Sequence, residues 1–246
     1  MAMATARRRR SSRRRGKQLP LQYRTWGGFR KGAGRKPKGD KAGVAHCRRP
    51  PLPSRYPVHV TCRLADDLPN LRKRKLYAKL RRVFYAMHAR SGFRIVHFSV
   101  QKNHVHLIIE AKSKLALSRG MQSFTIRFAN EVNGFLGRGR KGRVFADRYH
   151  CRILKSPTQT RNCIAYVILN GRRHGEDRGD PRPELWKDPY SSAPQFQGWR
   201  QRGLDPPDSE LAGPAEPPAT WLLSRGWRRG RKGRICITER PGPWPG

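Results

Sequence analysis

Acidic residues are scarce in this sequence. Its 246 residues include 16 Asp and Glu against 55 Lys and Arg, which gives a formal net charge of +39. Such an excess of positive charge points to a polyanionic partner, because each phosphate that Lys or Arg neutralises releases condensed counterions. A lipid surface fits less well, since the sequence has neither an apolar helix of membrane length nor an isolated amphipathic basic helix. We therefore expect the partner to be nucleic acid.

Cysteine is also scarce, and the five cysteines are scattered without a Cys-x-x-Cys pair. This odd number and wide spacing argue against a zinc finger and against a disulfide scaffold. A reducing cytoplasm fits such cysteine usage. The N-terminal arginines are not followed by an apolar segment, so no signal peptide is predicted.

Apolar residues are too few to give the whole chain a packed core. Hydrophobic residues make up 36% of the sequence, which is enough for one modest core. Residues 1–54 are basic and rich in Gly and Pro, and we expect them to form a disordered arm. Residues 196–246 are basic and rich in Pro, Gly and Trp, and we expect a loosely structured tail. The predicted folded domain is therefore 55–195.

Two common catalytic patterns are missing as well. No Gly-rich phosphate loop follows a predicted strand, and the Ser, Asp and Cys residues form no convincing pair of nucleophile and base. These absences argue against a nucleotide-binding enzyme and against a hydrolase with a catalytic triad.

Hydrophobic periodicity predicts an α+β fold. Apolar alternation indicates strands at 57–63 and 143–154, and a hairpin at 96–109 with its turn at 102–103. In the hairpin, Val96, Phe98 and Val100 are predicted to share one face. Helical spacing indicates a helix that starts at 66–69, a second over 115–136, and a third that begins with the Ser156 cap and ends near Gly171 or Gly175. This order is typical of a ferredoxin-like sandwich, in which a central antiparallel sheet carries the hairpin and helices pack against it.

Two histidines lie on one strand of the predicted hairpin. Because strand side chains alternate between faces, His104 and His106 project from one face and Val105 and Leu107 from the other. Neutral imidazole is the commonest metal ligand in proteins, so the pair is a candidate half of a metal site. The alternative is a pair of half-buried strand histidines bonded to backbone carbonyls.

A tyrosine and an asparagine share one face of the third predicted helix. Tyr166 and Asn170 are one helical turn apart. If this face packs on the histidine strand, Asn170 supplies an amide oxygen as a third metal ligand and the Tyr166 phenol lies beside the metal. A divalent ion can orient a phosphodiester for attack by a phenol that is otherwise a weak nucleophile, which yields a covalent phosphotyrosine. The alternative is a tyrosine of the helix core.

Both motifs resemble those of a known family. The segment Asn103-His104-Val105-His106-Leu107 resembles the His-hydrophobic-His motif of HUH endonucleases. Residues 165–175, which contain Tyr166 and Asn170, resemble the tyrosine helix of REP-associated tyrosine transposases. The resemblance spans roughly 55–195 and includes residues 142–150. It departs from the family at Gly171, where relatives commonly carry proline, and this departure puts the end of the helix in doubt.

The resemblance implies an HUH-type catalytic domain at 55–195 that cuts and joins single-stranded DNA, often at hairpin-forming palindromes. It implies Mg²⁺ or Mn²⁺ held by His104, His106 and Asn170, a 5′-phosphotyrosine at Tyr166 and a released 3′-OH. The expected location is the bacterial cytoplasm, near the nucleoid, and the protein could be a monomer or a homodimer. The rival hypothesis is a non-catalytic DNA- or RNA-binding protein on the same fold.

Basic residues around the predicted site are candidate contacts for DNA phosphates. They are Arg127, Arg138, Arg140, Lys141, Arg143, Arg148, Arg172 and Arg173.

Overall fold

The computed structural model describes residues 49–137, 142–176, 179, 182–208 and 212–242. Most of the predicted N-terminal arm therefore lies outside the described residues. In that part of the chain, no helix is long and apolar enough to cross a membrane. The elements in chain order are β1 (Val58–Arg63), α1 (Arg74–Met87), β2 (Phe93–Val100), β3 (His104–Ala111), α2 (Lys114–Leu136), β4 (His150–Ile153), α3 (Pro157–Glu176) and the short α4 (Trp221–Ser224).

The four strands form one antiparallel sheet in the order β2-β3-β1-β4. The predicted α+β class and ferredoxin-like layout are thus confirmed. Only β3 of the hairpin is central, however, and β2 lies at an edge. The fourth strand is shorter than the predicted 143–154, since it covers His150–Ile153. β1 and β3, the two central strands, carry the residues that matter for the site.

Helices α1 and α2 cover one face of the sheet. Val60 and Leu107 are fully buried in this first core, together with aromatic side chains from both helices. The rings of Phe84 on α1 and Phe98 on β2 stack with centroids 4.1 Å apart. Because Val105 and Leu107 point into this core, the alternation of β3 turns His104 and His106 to the opposite face, as predicted.

Helix α3 and the C-terminal segment cover that opposite face. Ile164 and Ile168 of α3 pack there with Trp199, Trp227 and other buried residues. The described part of the segment that was expected to be a loose tail therefore contributes a second core. Composition alone hides this role, because the buried aromatic residues are separated by stretches rich in Gly, Pro and Arg.

A β-bulge in β2 changes the face on which Val96 lies. The register of β2 against β3 shifts between Ile95 and His97. Val96 consequently packs in the α3 core, whereas Phe98 and Val100 pack in the α1–α2 core. The prediction that these three residues share a face was wrong for Val96, because a bulge inserts one residue into the alternation.

Helix α1 begins at Arg74, later than the sequence predicts. The carboxylate of Asp66 accepts a hydrogen bond from Arg63 at 3.1 Å instead of capping a helix. The amide of Leu71 donates to the carbonyl of Lys102 in the hairpin turn at 3.1 Å. These tertiary contacts hold residues 66–73 as a loop, so the predicted start at 66–69 was wrong.

Helix α3 begins as predicted and ends within one residue of Gly175, the later of the two predicted ends. Pro157 is its first residue, and the Ser156 hydroxyl accepts a hydrogen bond from the amide of Gln159 at 3.2 Å. The helix then runs through Gly171, the earlier of the two predicted ends, to Glu176.

A buried ion pair joins α3 to the C-terminal segment. The side chain of Arg161 is 1% exposed and makes a bidentate contact with Glu239. Removing one partner of a buried pair leaves the other charge without compensation. Carbonyls of Gly233 and Arg234 still accept from the guanidinium, so we expect Glu239→Ala to lower the free energy of unfolding by about 3 kcal/mol, at the lower end of such effects.

Urea denaturation of the full chain measures this loss. The control is Asp66→Ala, which breaks the Arg63–Asp66 pair, whose side chains are 66% and 79% exposed. That substitution should cost at most about 1 kcal/mol. Equal losses in the two variants would contradict the structural role of the buried pair.

Candidate active site

The pairing of β1 with β3 sets the floor of the candidate site. Thr61 lies opposite His106, and Arg63 lies opposite His104. Since residues two apart on a strand share a face, His59 and Thr61 look toward α3 together with His104 and His106. The sequence pattern identifies the two histidines of β3 but not these neighbours from β1.

His106 is the most constrained side chain of the floor. It is 4% exposed. Its Nδ1 lies 3.1 Å from the hydroxyl oxygen of Thr61 and 3.3 Å from Nε2 of His59. The rings of His59 and His106 are stacked with centroids 5.3 Å apart. These contacts fix the ring plane and occupy Nδ1, so only Nε2 of His106 faces the remaining space.

Helix α3 brings Tyr166 against this floor. The Tyr166 ring meets the His106 ring edge-on with centroids 5.1 Å apart, and the His59 ring at 6.1 Å. Two turns further along the same helix face, the His174 ring lies 5.9 Å from the ring of His104. The helix therefore runs along the histidine strand with Tyr166 at one end of the contact and His174 at the other.

Two buried side chains, those of His106 and Asn170, have polar atoms without a hydrogen-bond partner among the described residues. These atoms are Nε2 of His106 and both Oδ1 and Nδ2 of Asn170. Asn170 is fully buried and lies one turn from Tyr166. A buried polar atom without a hydrogen bond is uncommon and calls for an explanation such as an ion. The orphaned nitrogen and amide oxygen are two of the three ligand positions that the sequence predicts.

Burial keeps the histidines of the floor neutral. Desolvation lowers the pKa of His59 to about 3, with smaller effects from His150 and Arg152. Desolvation likewise lowers the pKa of His104 to about 4 and that of His106 well below its ordinary value. At pH 7 all three rings are therefore uncharged, which is the form that binds a metal ion.

The Tyr166 phenol remains protonated at neutral pH. Burial raises its pKa above the usual value, and the nearby positive charge of Arg173 partly offsets this effect. A phenol in this state is a weak nucleophile unless its electrophile is activated.

The donor set fits a divalent ion bound by nitrogen and oxygen. The His104 Nδ1 lies 2.9 Å from the amide oxygen of Asn103. A carboxamide oxygen only accepts, so Nδ1–H is the donor and Nε2 of His104 keeps its lone pair. Among the described residues no group of three or more His, Cys, Asp or Glu could hold a metal. Two imidazoles and one amide are a different set, with ligands suited to a metal that also binds substrate oxygens.

The same part of the chain matches a family of known proteins. Residues 55–168 match the family model described as "Transposase IS200 like". This part of the chain is therefore similar to IS200-like transposases. The match supports the resemblance to transposases that the two motifs indicate.

A solved structure also matches the chain. It is described as "Structure of the REP associates tyrosine transposase bound to a REP hairpin", and it is 16% identical with a TM-score of 0.47, covering 61% of this chain and 82% of that chain. No curated protein matches this chain.

The basic candidates for DNA contact are distributed over several parts of the domain. Arg127 is exposed on α2, which covers the sheet face opposite the tyrosine. Arg143 and Arg148 are exposed in the segment before β4, and Arg173 lies on α3 near Tyr166. Three further candidates lie outside the described residues, namely Arg138, Arg140 and Lys141.

Arg172 has a structural role that the sequence does not reveal. It is 4% exposed. Its guanidinium donates hydrogen bonds to four backbone carbonyls between residues 182 and 186, at 2.8 to 3.2 Å. Since these bonds use the side chain to tie α3 to the following loop, Arg172 is corrected from a DNA contact to an anchor of that loop.

Gly171, the position at which the sequence departs from the family, is explained by a close contact. A Cβ there would lie 2.1 Å from Oδ2 of Asp188. Asp188 is 1% exposed and accepts two hydrogen bonds from Arg72 at 2.7 and 2.8 Å. The buried carboxylate can approach α3 only because residue 171 has no side chain. It therefore packs against the helix at the residue that follows Asn170.

Gly171→Ala should therefore destabilise the protein. Alanine is favoured over glycine inside a helix by about 1 kcal/mol, but here the added methyl group meets a buried ion pair, and overpacking costs about 1–3 kcal/mol. Gly134→Ala in α2 is the matched control, because a Cβ at Gly134 meets nothing within 4 Å. In urea denaturation the control should be neutral or more stable than wild type. Stabilisation by both substitutions would contradict the close contact.

Proposed function

We propose that this domain cleaves and rejoins single-stranded DNA, with Tyr166 as the nucleophile. The observation that carries the proposal is the contact of the Tyr166 ring with the His106 ring, whose centroids are 5.1 Å apart. Buried polar atoms of His106 and Asn170 also lack a hydrogen-bond partner among the described residues. A core tyrosine and two structural histidines would not require such unpaired atoms. The match of residues 55–168 to the model of IS200-like transposases supports the same chemistry.

In the proposed step, the Tyr166 oxygen attacks a DNA phosphorus and forms a new P–O bond. The bond from phosphorus to the 3′-oxygen breaks, and that oxygen leaves with a proton as a free 3′-OH. The phenolic proton passes to solvent, and the product is a 5′-phosphotyrosine. Attack by a 3′-OH on this ester reverses the bond changes and joins strands, so the exchange requires no external energy source.

His104, His106 and Asn170 are the residues that we propose to hold Mg²⁺ or Mn²⁺. A divalent ion would bind and polarise the scissile phosphate and orient it for in-line attack. The chain itself contributes neutral imidazoles, since burial lowers the pKa of both histidines. Arg173, whose charge acts on Tyr166, is suited to bind the non-bridging phosphate oxygens.

The proposed substrate is a hairpin or palindrome with unpaired flanks, in the manner of REP-associated transposases. The family resemblance in α3 supports this assignment, and the net charge of +39 supports a polyanionic substrate. The rival function is DNA or RNA binding without catalysis, which the basic charge alone would also explain.

A covalent-adduct assay separates the two functions. We expect wild-type protein with a labelled hairpin oligonucleotide and Mn²⁺ to give an adduct that survives denaturation. Tyr166→Phe should abolish it, because the nucleophilic oxygen is lost. The control is Tyr85→Phe, which removes a phenol from an exposed position on α1. Binding of DNA by wild-type protein without an adduct, with or without metal, would favour the rival.

A second prediction concerns the Thr61 hydroxyl. A histidine that binds metal through Nε2 carries its proton on Nδ1 and donates it to a neighbouring acceptor. The Thr61 oxygen, 3.1 Å from Nδ1 of His106, is such an acceptor. Thr61→Val should therefore weaken Mn²⁺ binding by about 10- to 100-fold, as measured by titration calorimetry of the protein without DNA.

Thr61→Ser keeps the hydroxyl and is the matched control. It should restore most of the metal affinity, although it removes a methyl group from the strand. If Thr61→Val binds Mn²⁺ as tightly as wild type, the hydroxyl does not orient a metal ligand.

A further inference from the structure

A separate pocket lies beside β4, and nothing in the proposed cleavage step uses it. Its volume is about 510 Å³, within the range of about 300–1,000 Å³ that is usual for small-ligand sites. We call it the β4 pocket. Its floor is apolar and includes Leu52, Leu117 and Ile153. Its rim is basic and consists of Arg49, Lys114, Arg148, Arg152 and Lys155.

Internal contacts hold part of this rim in place. The Lys114 ammonium donates a hydrogen bond to the carbonyl of Arg49 at 2.6 Å. The Arg49 guanidinium donates to the carbonyl of Tyr149 at 2.7 Å and lies over the Tyr149 ring, 3.6 Å from its centroid. Of the described residues that line the β4 pocket, none is acidic. Five cations around a preformed cavity favour an anionic ligand.

The apolar floor indicates more than a bare phosphate. A phosphate alone needs only charge and hydrogen-bond donors, whereas a nucleotide also presents the flat, largely apolar face of its base. The apolar floor suits the base of a nucleotide, and the basic rim suits its phosphate. Ser118 and Tyr149 also line the pocket and add polar groups.

The pocket is connected to the candidate active site through the edge strand. Arg152 lines the β4 pocket and pairs across the strands with His59 of the site floor. The next residue of the same face, His150, pairs with Thr61. The apolar residues of the β4 pocket belong to the α1–α2 core, so the pocket lies on the sheet face opposite Tyr166. A DNA strand would reach it from Tyr166 by passing round the edge strand β4, beside Arg152.

We propose that the β4 pocket binds an unpaired nucleotide of the DNA strand that reaches Tyr166, with its base on the apolar floor and its phosphate on the basic rim. This inference rests on the proposed function for the identity of the strand. Binding of this nucleotide would determine which phosphate of the DNA strand lies at Tyr166. The pocket itself would not contact the reacting phosphate.

Thiol footprinting tests the proposal directly, because Cys151 lines the pocket and is half-buried. The experiment uses full-length Tyr166→Phe protein, so that no DNA is cut, and a saturating hairpin oligonucleotide with unpaired flanks. Alkylation of Cys151, followed by mass spectrometry of its peptide, should slow by at least about tenfold when DNA is bound. Cys236, also partly exposed but not part of the pocket lining, is the internal control and should react at an unchanged rate.

Oligonucleotide variants locate the base. Replacing single flank nucleotides with abasic residues should remove the protection of Cys151 at one position while the strand remains bound. Protection that persists at every abasic position would overturn the placement of a base in the pocket. A free nucleoside monophosphate that protects Cys151 when the oligonucleotide does not would overturn the strand as the ligand.

Charge variants give an independent measurement. Arg148→Ala with Lys155→Ala removes two exposed rim cations, and it should lower the slope of log affinity against log salt by about 1.4, or 0.7 for each phosphate contact of a single strand. Arg82→Ala with Arg119→Ala removes two exposed cations from α1 and α2 and should leave the slope unchanged. Equal slopes in both double variants would overturn the role of the rim.

The two proposals fail in different ways. If wild-type protein forms the tyrosine adduct and DNA does not protect Cys151, the pocket proposal is overturned and the proposed function stands. If DNA protects Cys151 and no adduct forms under any metal condition, the pocket stands as a binding site and cleavage is overturned.

Discussion

The antiparallel pairing of β1 with β3 is the constraint on which the candidate site depends. It sets Thr61 opposite His106 and brings His59 to within 3.3 Å of the same imidazole. A shift of one residue in this register would turn the β1 side chains toward the α1–α2 core. The hydrophobic alternation of Val58, Val60 and Cys62 prevents that shift, because these residues are almost fully buried on the other face. The packing of β1 against the α1–α2 core thus determines that His59 and Thr61 lie next to His106 on the opposite face.

The position of α3 depends on the C-terminal segment. Buried tryptophans from this segment complete the core beneath the helix. Three acidic residues, Asp188, Glu239 and Glu110, make further contacts that stabilise this part of the fold. Asp188 fits against Gly171, and Glu239 pairs with Arg161. Glu110 accepts hydrogen bonds from the backbone of Ala219 and Thr220. A domain that ended with α3 would lack these contacts, and the helix that carries Tyr166 would lose its packing partners.

The candidate site is uncharged, whereas the surface of the protein is strongly basic. The chain carries a net charge of +39, yet burial keeps the clustered histidines uncharged. A site built from neutral imidazoles and an amide can accept a cation, whereas exposed Lys and Arg attract the phosphate backbone from a distance. Cation and polyanion can therefore converge on the sheet face that carries His104 and His106.

The sequence by itself determined the ferredoxin-like α+β class, the common face of His104 and His106, and the spacing of Tyr166 and Asn170, because strand and helix periods are local properties of the chain. Only the tertiary structure decided the contacts of Thr61 and His59 with His106, since strand register depends on residues far apart in sequence. It also decided the bulge at Val96, the late start of α1 and the burial of Arg172, all of which follow from distant partners. The tertiary structure also decided the close approach of Asp188 to Gly171. A glycine in the sequence allows another residue to pack closely, but it does not reveal which residue does so.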